Sequence, residues 1–133
     1  MKYFLDTNII IYAIKGQYPS IREHFKHIAA QSIVIPTIVE AEIEYGARKS
    51  NNYDITISKY RQFMNTFIKV AFSEQAAVCY GQIRSDLEKR GEPIGRNDLI
   101  IASIVLADNG ILVTNNEKEF NRIEGLRLEN WTI

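Results

Sequence analysis

Apolar side chains along this chain recur in two alternating patterns. Runs rich in β-branched and aromatic residues at 2–5 and 32–35 predict short buried strands. Each run is followed by a stretch in which apolar residues recur at helical spacing, at 9–15 and at about 37–48. The first part of the chain therefore predicts a strand followed by a helix, twice over.

The alternation continues to the C-terminus. Asn97 is a predicted N-cap, and Gly16 and Gly110 are predicted to follow the last residue of a helix. Strands that alternate with helices over the full length imply one α/β domain, residues 1–133, with a mostly parallel central sheet and helices on both faces. The remaining predicted elements are helices from Pro19, from a cap at Asp54, from a cap at Ser73 to about Arg90 and over 98–109, and strands at 69–72, 111–113 and 126–128.

The composition supports a folded domain and limits the cellular locations and binding partners to be considered. Hydrophobic residues make up 46% of the 133 residues, which is enough apolar material for a core. Sixteen basic residues balance sixteen acidic ones, so no bulk positive field drives unspecific binding to nucleic acid. The single cysteine, Cys79, excludes an internal disulfide, and the apolar run 9–14 is too short for a membrane span or a signal peptide. We expect a cytoplasmic protein.

Two predicted strands end in polar residues at the same edge of the expected sheet. Asp6 follows the first strand, and the segment 114–116 follows the strand at 111–113. In open α/β sheets, ligands bind at the carboxyl ends of the strands, which is where these residues fall. Taken alone, Asp6 is explained equally well as a helix N-cap.

Glu42 is predicted to face inward from its helix. A helical projection of residues 37–48 places Glu40 and Glu44 together on the opposite side, as solvated charges. Glutamate is rarely buried without a partner, so Glu42 either pairs with a basic side chain or belongs to a site. Its predicted neighbours on the inward side are Ile38, Ala41, Tyr45 and Gly46.

Asp98 repeats this arrangement at the start of a helix. It shares a stripe with Ile101, Ala102 and Val105, so a carboxylate heads an otherwise apolar face. A favourable charge at a helix N-terminus, worth about 0.3–1 kcal/mol, would also explain it. The coincidence of three such acids is what favours a common site.

Carboxylates that converge need a cation. Each close pair repels by about 4 kcal/mol at about 4 Å with an effective dielectric of roughly 20, which is large beside the net stability of a domain. Carboxylate oxygens without histidine or cysteine suit Mg²⁺ or Mn²⁺, and His24 and His27 are interpreted as surface residues away from the acids. Such an ion can acidify a water for attack on a phosphate ester. Nucleases and phosphatases both use a carboxylate-held Mg²⁺ in this way, so both classes of enzyme remain possible.

Several segments carry a resemblance to a known family. LDTN at 5–8, AEIEYGA at 41–47 and GRNDLIIA at 95–102 resemble, in their order and spacing, the motifs of PIN domains. LVTNN at 112–116, with Glu119-Phe120 and the ending from Gly125 to Trp131, resembles the VapC toxins of bacterial and archaeal toxin–antitoxin pairs. The resemblance spans nearly the whole chain.

The resemblance implies roles for particular residues. It carries over Asp6, Glu42 and Asp98 as catalytic acids, with Asp6 and Asp98 as the metal ligands. Many PIN domains have an aspartate where this chain has Asn116, and Glu119 is expected to replace it among the catalytic acids. The residues expected to contact substrate or to support the acids are Thr7, Asn8, Thr114 and Asn116.

The activity that the resemblance implies is that of a Mg²⁺- or Mn²⁺-dependent endoribonuclease toxin. Such an enzyme arrests translation by cutting a structured RNA, often tRNA, and the initiator tRNA is the leading expectation. A VapB-type antitoxin is expected to neutralise it. The toxin itself is expected to form a homodimer.

Two alternatives remain at this stage. A Mg²⁺-dependent phosphatase of the Asp-x-Asp pattern would need an acid at position 8, where Asn8 stands. An RNA-binding module that has lost turnover is supported only by Asn116, where an aspartate is common. The basic residues that flank the motifs are candidate RNA contacts, with ordinary solvated charge as the alternative: Lys15, Arg48, Lys49, Arg84 and Arg96.

Overall fold

A computed structural model describes all residues, 1–133, and contains strands and helices in alternation. The strands are β1 (Tyr3–Leu5), β2 (Ile33–Pro36), β3 (Ile68–Val70), β4 (Ile111–Val113) and β5 (Arg127–Glu129). The helices are α1 (Thr7–Lys15), α2 (Pro19–His27), α3 (Thr37–Arg48), α4 (Tyr53–Met64), α5 (Glu74–Lys89), α6 (Arg96–Ala107) and α7 (Glu117–Phe120), with a single 3₁₀ turn at Ala30–Ser32.

The five strands form one sheet in the order β3-β2-β1-β4-β5, and all four neighbouring pairs are parallel. The chain builds outward from β1 to one side through β2 and β3, and then to the other side through β4 and β5. Parallel neighbours need crossover connections, and the burial of the central strands on both faces is consistent with helices on both sides of the sheet. The predicted α/β fold class is confirmed.

The central strands are apolar throughout because helices cover both of their faces. Phe4, Leu5, Val34 and Ile35 are at most 1% exposed, and the same holds for β4 at its buried end. No helix has the length and apolar composition needed to cross a membrane.

The carboxyl ends of β1 and β4 bring the first candidate residues together. Leu5 is in register with Val113, and the backbone N–H of Asp6 extends the pairing by donating to the Val113 carbonyl at 2.9 Å. The backbone N–H of Thr114 in turn donates to Glu129 of β5 at 3.0 Å. Asp6 and Thr114 are therefore fixed by the sheet itself rather than by flexible loops.

Two predicted N-caps are wrong, although the helices exist. Asn52 caps α4 by accepting a hydrogen bond from the backbone N–H of Ile55, whereas Asp54 lies inside the first turn. The N-cap of α6 is Gly95, so Asn97 is a helical residue. At both helix starts, two residues of a type that caps helices stand two positions apart, and only the path of the entering chain selects one of them.

Gly110 is required for a reason other than the predicted helix end. The left-handed residue after α6 is Asn109, with φ of 53°, a conformation that asparagine tolerates better than most residues. A Cβ on Gly110 would collide with the ring of Phe4 on the neighbouring strand. The glycine thus permits β1 and β4 to pair closely, while Gly16 is the predicted left-handed cap of α1.

Candidate active site

Asp6 ends β1 and caps α1. Its side chain is 6% exposed, with Oδ1 accepting from the Thr7 backbone N–H at 2.8 Å and Oδ2 from the Thr114 hydroxyl at 2.7 Å. Burial raises the pKa of Asp6 above its ordinary 3.8, the two hydrogen bonds oppose this rise, and the charge of Glu42 adds to it. The two interpretations of Asp6 are compatible, because the helix cap is also a desolvated carboxylate.

Glu42 reaches the same place from α3. Its Oε1 accepts the Thr7 hydroxyl hydrogen at 2.7 Å, and its Oε2 has no hydrogen-bond partner within the protein. Thr7 therefore bridges two acids, with its backbone N–H on Asp6 and its hydroxyl on Glu42. One carboxylate oxygen of Glu42 remains available to a ligand or water.

The buried side of α3 is rotated from its predicted position. Glu42 is half-buried at the margin of that side, whereas three of its four predicted neighbours, Ala41, Tyr45 and Gly46, are exposed, Tyr45 by 65%. Glu44 is not a free solvated charge, because it accepts hydrogen bonds from Tyr53 and Arg61. The residues of α3 that enter the core are Val39, Ile43 and Ala47.

Asp98 lies half-buried in the first turn of α6, next to Glu119. Burial is the main cause that raises its pKa from 3.8 to about 7, followed by the charges of Asp6 and Glu119, a hydrogen bond with Glu119, and the charge of Glu42. A raised pKa means that the protonated Asp98 can donate to the Glu119 carboxylate. The four acids thus lie close enough for each of the others to act on Asp98.

Asn116 contacts the acidic residue Glu119 through a hydrogen bond of its side chain. Its side-chain amide donates to Glu119 Oε2 at 3.3 Å, and its backbone N–H donates to the Thr114 hydroxyl oxygen at 3.0 Å. The Thr114 hydroxyl in turn donates a hydrogen bond to Asp6, so the segment after β4 contacts two of the acids, Asp6 and Glu119. The four-residue helix α7, too short to be recognised by periodicity, carries Glu119 to this position.

One predicted site residue is not brought into the cluster. Asn8 is exposed and makes no side-chain hydrogen bond within the protein. Conversely, no sequence pattern singled out Tyr12, whose hydroxyl accepts a hydrogen bond from the Asn115 side-chain amide at 3.1 Å. A tyrosine in an apolar helical run carries no local signal for such a contact.

The histidines stay away from the acids, but the prediction that both are surface residues is wrong for one of them. His24 is half-buried and stacks on Trp131, with ring centroids 4.9 Å apart and planes at 3°. Trp131 is fully buried and anchors the end of the chain against α2.

Some of the basic residues predicted to contact RNA interact with other side chains of the protein, and others do not. Arg84 pairs with Glu88 and Tyr80 on its own helix. Arg96, two residues before Asp98, is exposed and has no ion pair, as is also true of Lys15 at the far end of α1. Arg48 lies over the ring of Tyr53 and Lys49 over that of Tyr45.

The donor set fits a hard divalent cation held by few protein ligands. All four acids offer carboxylate oxygens, without histidine or cysteine, and the desolvated Asp6 and Asp98 lack a compensating positive charge. No three His, Cys, Asp or Glu side chains are arranged to ligate one ion together. This openness is compatible with Mg²⁺, which keeps several of its waters and binds through one or two carboxylates.

Comparison with protein families identifies the class. The PIN domain model matches residues 3–126 of the 133. The chain therefore belongs to the PIN-domain family.

Known relatives place the chain more closely within it. Ribonuclease VapC2 of Rickettsia felis is 44% identical over 132 residues, covering 98% of each chain, and the tRNA(fMet)-specific endonuclease VapC of Shigella flexneri is 36% identical, covering 99% of each. A solved structure shows VapBC2 from Rickettsia felis bound to a DNA fragment from the promoter. One of its chains superposes on this chain with a TM-score of 0.92 and is 43% identical to it. The match covers 98% of this chain and 99% of that chain. This chain is an endoribonuclease of the VapC toxin type.

Proposed function

We propose that this protein is a Mg²⁺- or Mn²⁺-dependent endoribonuclease that cuts tRNA, the initiator tRNA first of all, and thereby arrests translation in the cytoplasm. The observation that carries the proposal is the meeting of four acids from four separate segments: Asp6, Glu42, Asp98 and Glu119. The choice of tRNA(fMet) is supported by the relative from Shigella flexneri that is named for that substrate.

The proposed roles follow from the contacts of each acid. Asp6 and Asp98 would hold the cation, since they are the two acids whose pKa burial raises and neither has a positively charged side chain beside it. When bound, the cation supplies positive charge to the phosphate and acidifies a water for in-line attack. Thr7 and Thr114 orient the Asp6 carboxylate through its two oxygens. Glu42, with Oε2 unoccupied, is positioned to accept a proton from the attacking water.

Glu119 is proposed as the fourth acid. Its carboxylate contacts Asp98, and the Asn116 amide donates a hydrogen bond to it. A retained fourth acid weakens the alternative of a silent RNA-binding module, because Asn116 was the only support for that alternative. The exposed Asn8 remains a candidate substrate contact, as it faces solvent next to the acids.

A VapB-type antitoxin is proposed as the partner that blocks this site. Solved structures with TM-scores of 0.92 and 0.91 are named as VapBC complexes, from Salmonella typhimurium and Haemophilus influenzae. An excess of carboxylates predicts that the blocking group is basic, because a cationic side chain would neutralise the acids as a metal would.

A second copy of the chain is proposed to cover an apolar groove between α3, α5 and α6. The groove encloses about 580 Å³ and is almost wholly apolar, and at its edge Phe72 remains 43% exposed. Apolar surface of this kind marks interfaces, and the balanced charge of the chain opposes self-association little. The lining residues are Thr37, Ile38, Ala41, Phe72, Ala77, Tyr80, Ile100 and Ile104.

The test is cleavage of purified initiator tRNA with Mg²⁺, with Mn²⁺ and with EDTA. We expect discrete fragments with either metal and none with EDTA. Asp6→Asn, Glu42→Gln and Asp98→Asn are each expected to lower the rate by about 10²-fold or more, the scale seen when a group that stabilises transition-state charge is removed. Glu23→Gln, which changes an exposed acid on α2, is the matched control and should cut normally.

Three outcomes would contradict the proposal. Turnover of a small aryl phosphate with intact RNA would favour a phosphatase. Binding of tRNA in Mg²⁺ without cleavage, unchanged by Asp6→Asn, would favour a binding module. Cleavage that persists in EDTA would exclude the metal.

A further inference from the structure

Two arginines contact each other and the loop that leads into α6. Both lie outside the acidic cluster, which consists of Asp6, Glu42, Asp98 and Glu119. Arg122, just after α7, donates from Nη1 to the Pro93 carbonyl at 3.0 Å, and its Nε lies 3.9 Å from Glu92 Oε2. Arg90, at the end of α5, donates from Nη1 to Glu92 Oε1 at 3.1 Å and from Nη2 to the carbonyl of Arg122. Glu92 is thus shared by both arginines.

These contacts join the two segments that carry a pair of cluster acids. Pro93 precedes Asp98 by five residues, and Glu119 precedes Arg122 by three. Asp98 and Glu119 lie side by side, so when both are deprotonated, as binding of a cation requires, their like charges repel and act to separate the start of α6 from α7. The Arg122 to Pro93 hydrogen bond acts in the opposite direction.

A purely structural role for these arginines is a poor explanation of their geometry. Exposed ion pairs contribute little to stability, and the pairs that Arg90 and Arg122 make with Glu92 are partly exposed. A charge-assisted hydrogen bond to a backbone carbonyl fixes a loop position more strongly than a mobile ion pair does. The Arg122 side chain is 27% exposed, so it is more buried than that of Arg90, which is 39% exposed.

We propose that Arg122 is a positioning residue, which sets the separation of Asp98 and Glu119 through the Pro93 carbonyl and so sets the affinity of the acidic cluster for a divalent cation. This inference rests on the proposed function, because it assigns metal binding to the same acids. It adds a residue whose side chain contacts Pro93 and Glu92 but none of the four acids, and that no sequence motif marks.

The experiment measures Mn²⁺ binding by calorimetry, and tRNA cleavage across a Mn²⁺ titration, for the full chain and its variants. Arg122→Ala is expected to raise the Kd for Mn²⁺ by about 10- to 100-fold, the usual effect of removing an outer partner of a metal site. Its cleavage rate should return toward that of the unsubstituted protein at saturating Mn²⁺. Arg122→Lys should recover part of the affinity, and Glu92→Gln should lose less than Arg122→Ala.

Arg127→Ala is the matched control. Arg127 also donates to a loop carbonyl, that of Asn109, but at the opposite end of the sheet from the acids. We expect an unchanged Kd for Mn²⁺ in this variant. A shared loss in both alanine variants, or a lower rate in Arg122→Ala that saturating Mn²⁺ does not restore, would assign Arg122 a general structural role and overturn the proposal.

The failure of this inference is distinguishable from that of the proposed function. If the unsubstituted protein binds Mn²⁺ and cuts tRNA while a folded Arg122→Ala has a Kd within twofold of it, only the inference fails. If the unsubstituted protein neither binds Mn²⁺ nor cuts, both fail. Should Arg122→Ala not fold, the graded losses in Arg122→Lys and Glu92→Gln decide the question.

Discussion

The hydroxyl of Thr114 donates a 2.7 Å hydrogen bond to Oδ2 of Asp6, and the side chains of both residues are almost completely withdrawn from water. This bond is the main interaction that keeps the pKa of Asp6 from rising further, because it favours the charged carboxylate against the cost of burial. Residues 108 positions apart in the chain are joined by it.

We predict that Thr114→Val lowers the free energy of unfolding by about 1.5–3 kcal/mol at pH 7.5, the range for a lost hydrogen bond to a charged group. The same change also leaves the backbone N–H of Asn116 without its acceptor. Urea denaturation followed by circular dichroism measures the effect. Thr114→Ser keeps the hydroxyl and should lose much less, so equal losses in the two variants would refute the role of the hydrogen bond.

The pH dependence of stability in metal-free protein follows from Asp98. Its pKa is raised to about 7 in the folded state from 3.8, so between these values the folded state binds more protons than the unfolded state. The free energy of unfolding is therefore expected to fall as the pH rises from about 4 to about 7, and Asp6 shifts in the same direction. Denaturation in EDTA across this range tests the sign.

A divalent cation should reverse that loss, since it binds the deprotonated carboxylates. We expect Mg²⁺ to raise the melting temperature more at pH 7.5 than at pH 5. Asp98→Asn should flatten the metal-free pH dependence and be more stable than the unsubstituted protein at pH 7.5, while losing cleavage. A metal-free protein that is more stable at pH 7.5 than at pH 5 would contradict the assignment.

The proposed dimer makes a prediction about Phe72. Phe72→Glu places a charge at the edge of the apolar groove, where the aromatic ring is 43% exposed and contributes little to the fold of one copy. Sedimentation velocity is expected to show a monomer for this variant and a dimer for the unsubstituted protein. Ile133→Glu, which alters another exposed apolar residue outside the groove, should leave the dimer intact.

The free guanidinium of Arg96 makes a prediction about RNA binding. With four acids nearby, an RNA phosphate needs a local positive charge, and Arg96 has no ion pair to give up. Arg96→Ala is expected to raise KM for tRNA with little change in kcat, and to reduce the salt dependence of binding by about one counterion. Lys26→Ala, which removes an exposed cation on α2, serves as the control. A fall in kcat alone would argue against phosphate contact.

Much of the fold followed from the residue pattern because the central strands are buried on both faces. Such strands appear in the sequence as continuous apolar runs, and the run at 111–113 coincides with β4. The last strand was predicted one residue early, at 126–128 instead of Arg127–Glu129, because an edge strand that is half exposed has a weaker pattern. Helix α7 was missed because four residues complete only one turn.

The sequence by itself determined the succession along the chain of the five strands and the six longer helices, and it singled out Asp6, Glu42 and Asp98, because an acid next to or inside an apolar run is a local feature. It also determined, through its resemblance to PIN domains, the class of enzyme. Only the tertiary structure decided that Thr7 bridges two acids and that Asn116 holds Glu119. Those contacts depend on the register of β1 with β4 and on the rotation of α3, which are set by packing across the whole core and leave no mark in any short segment of the chain.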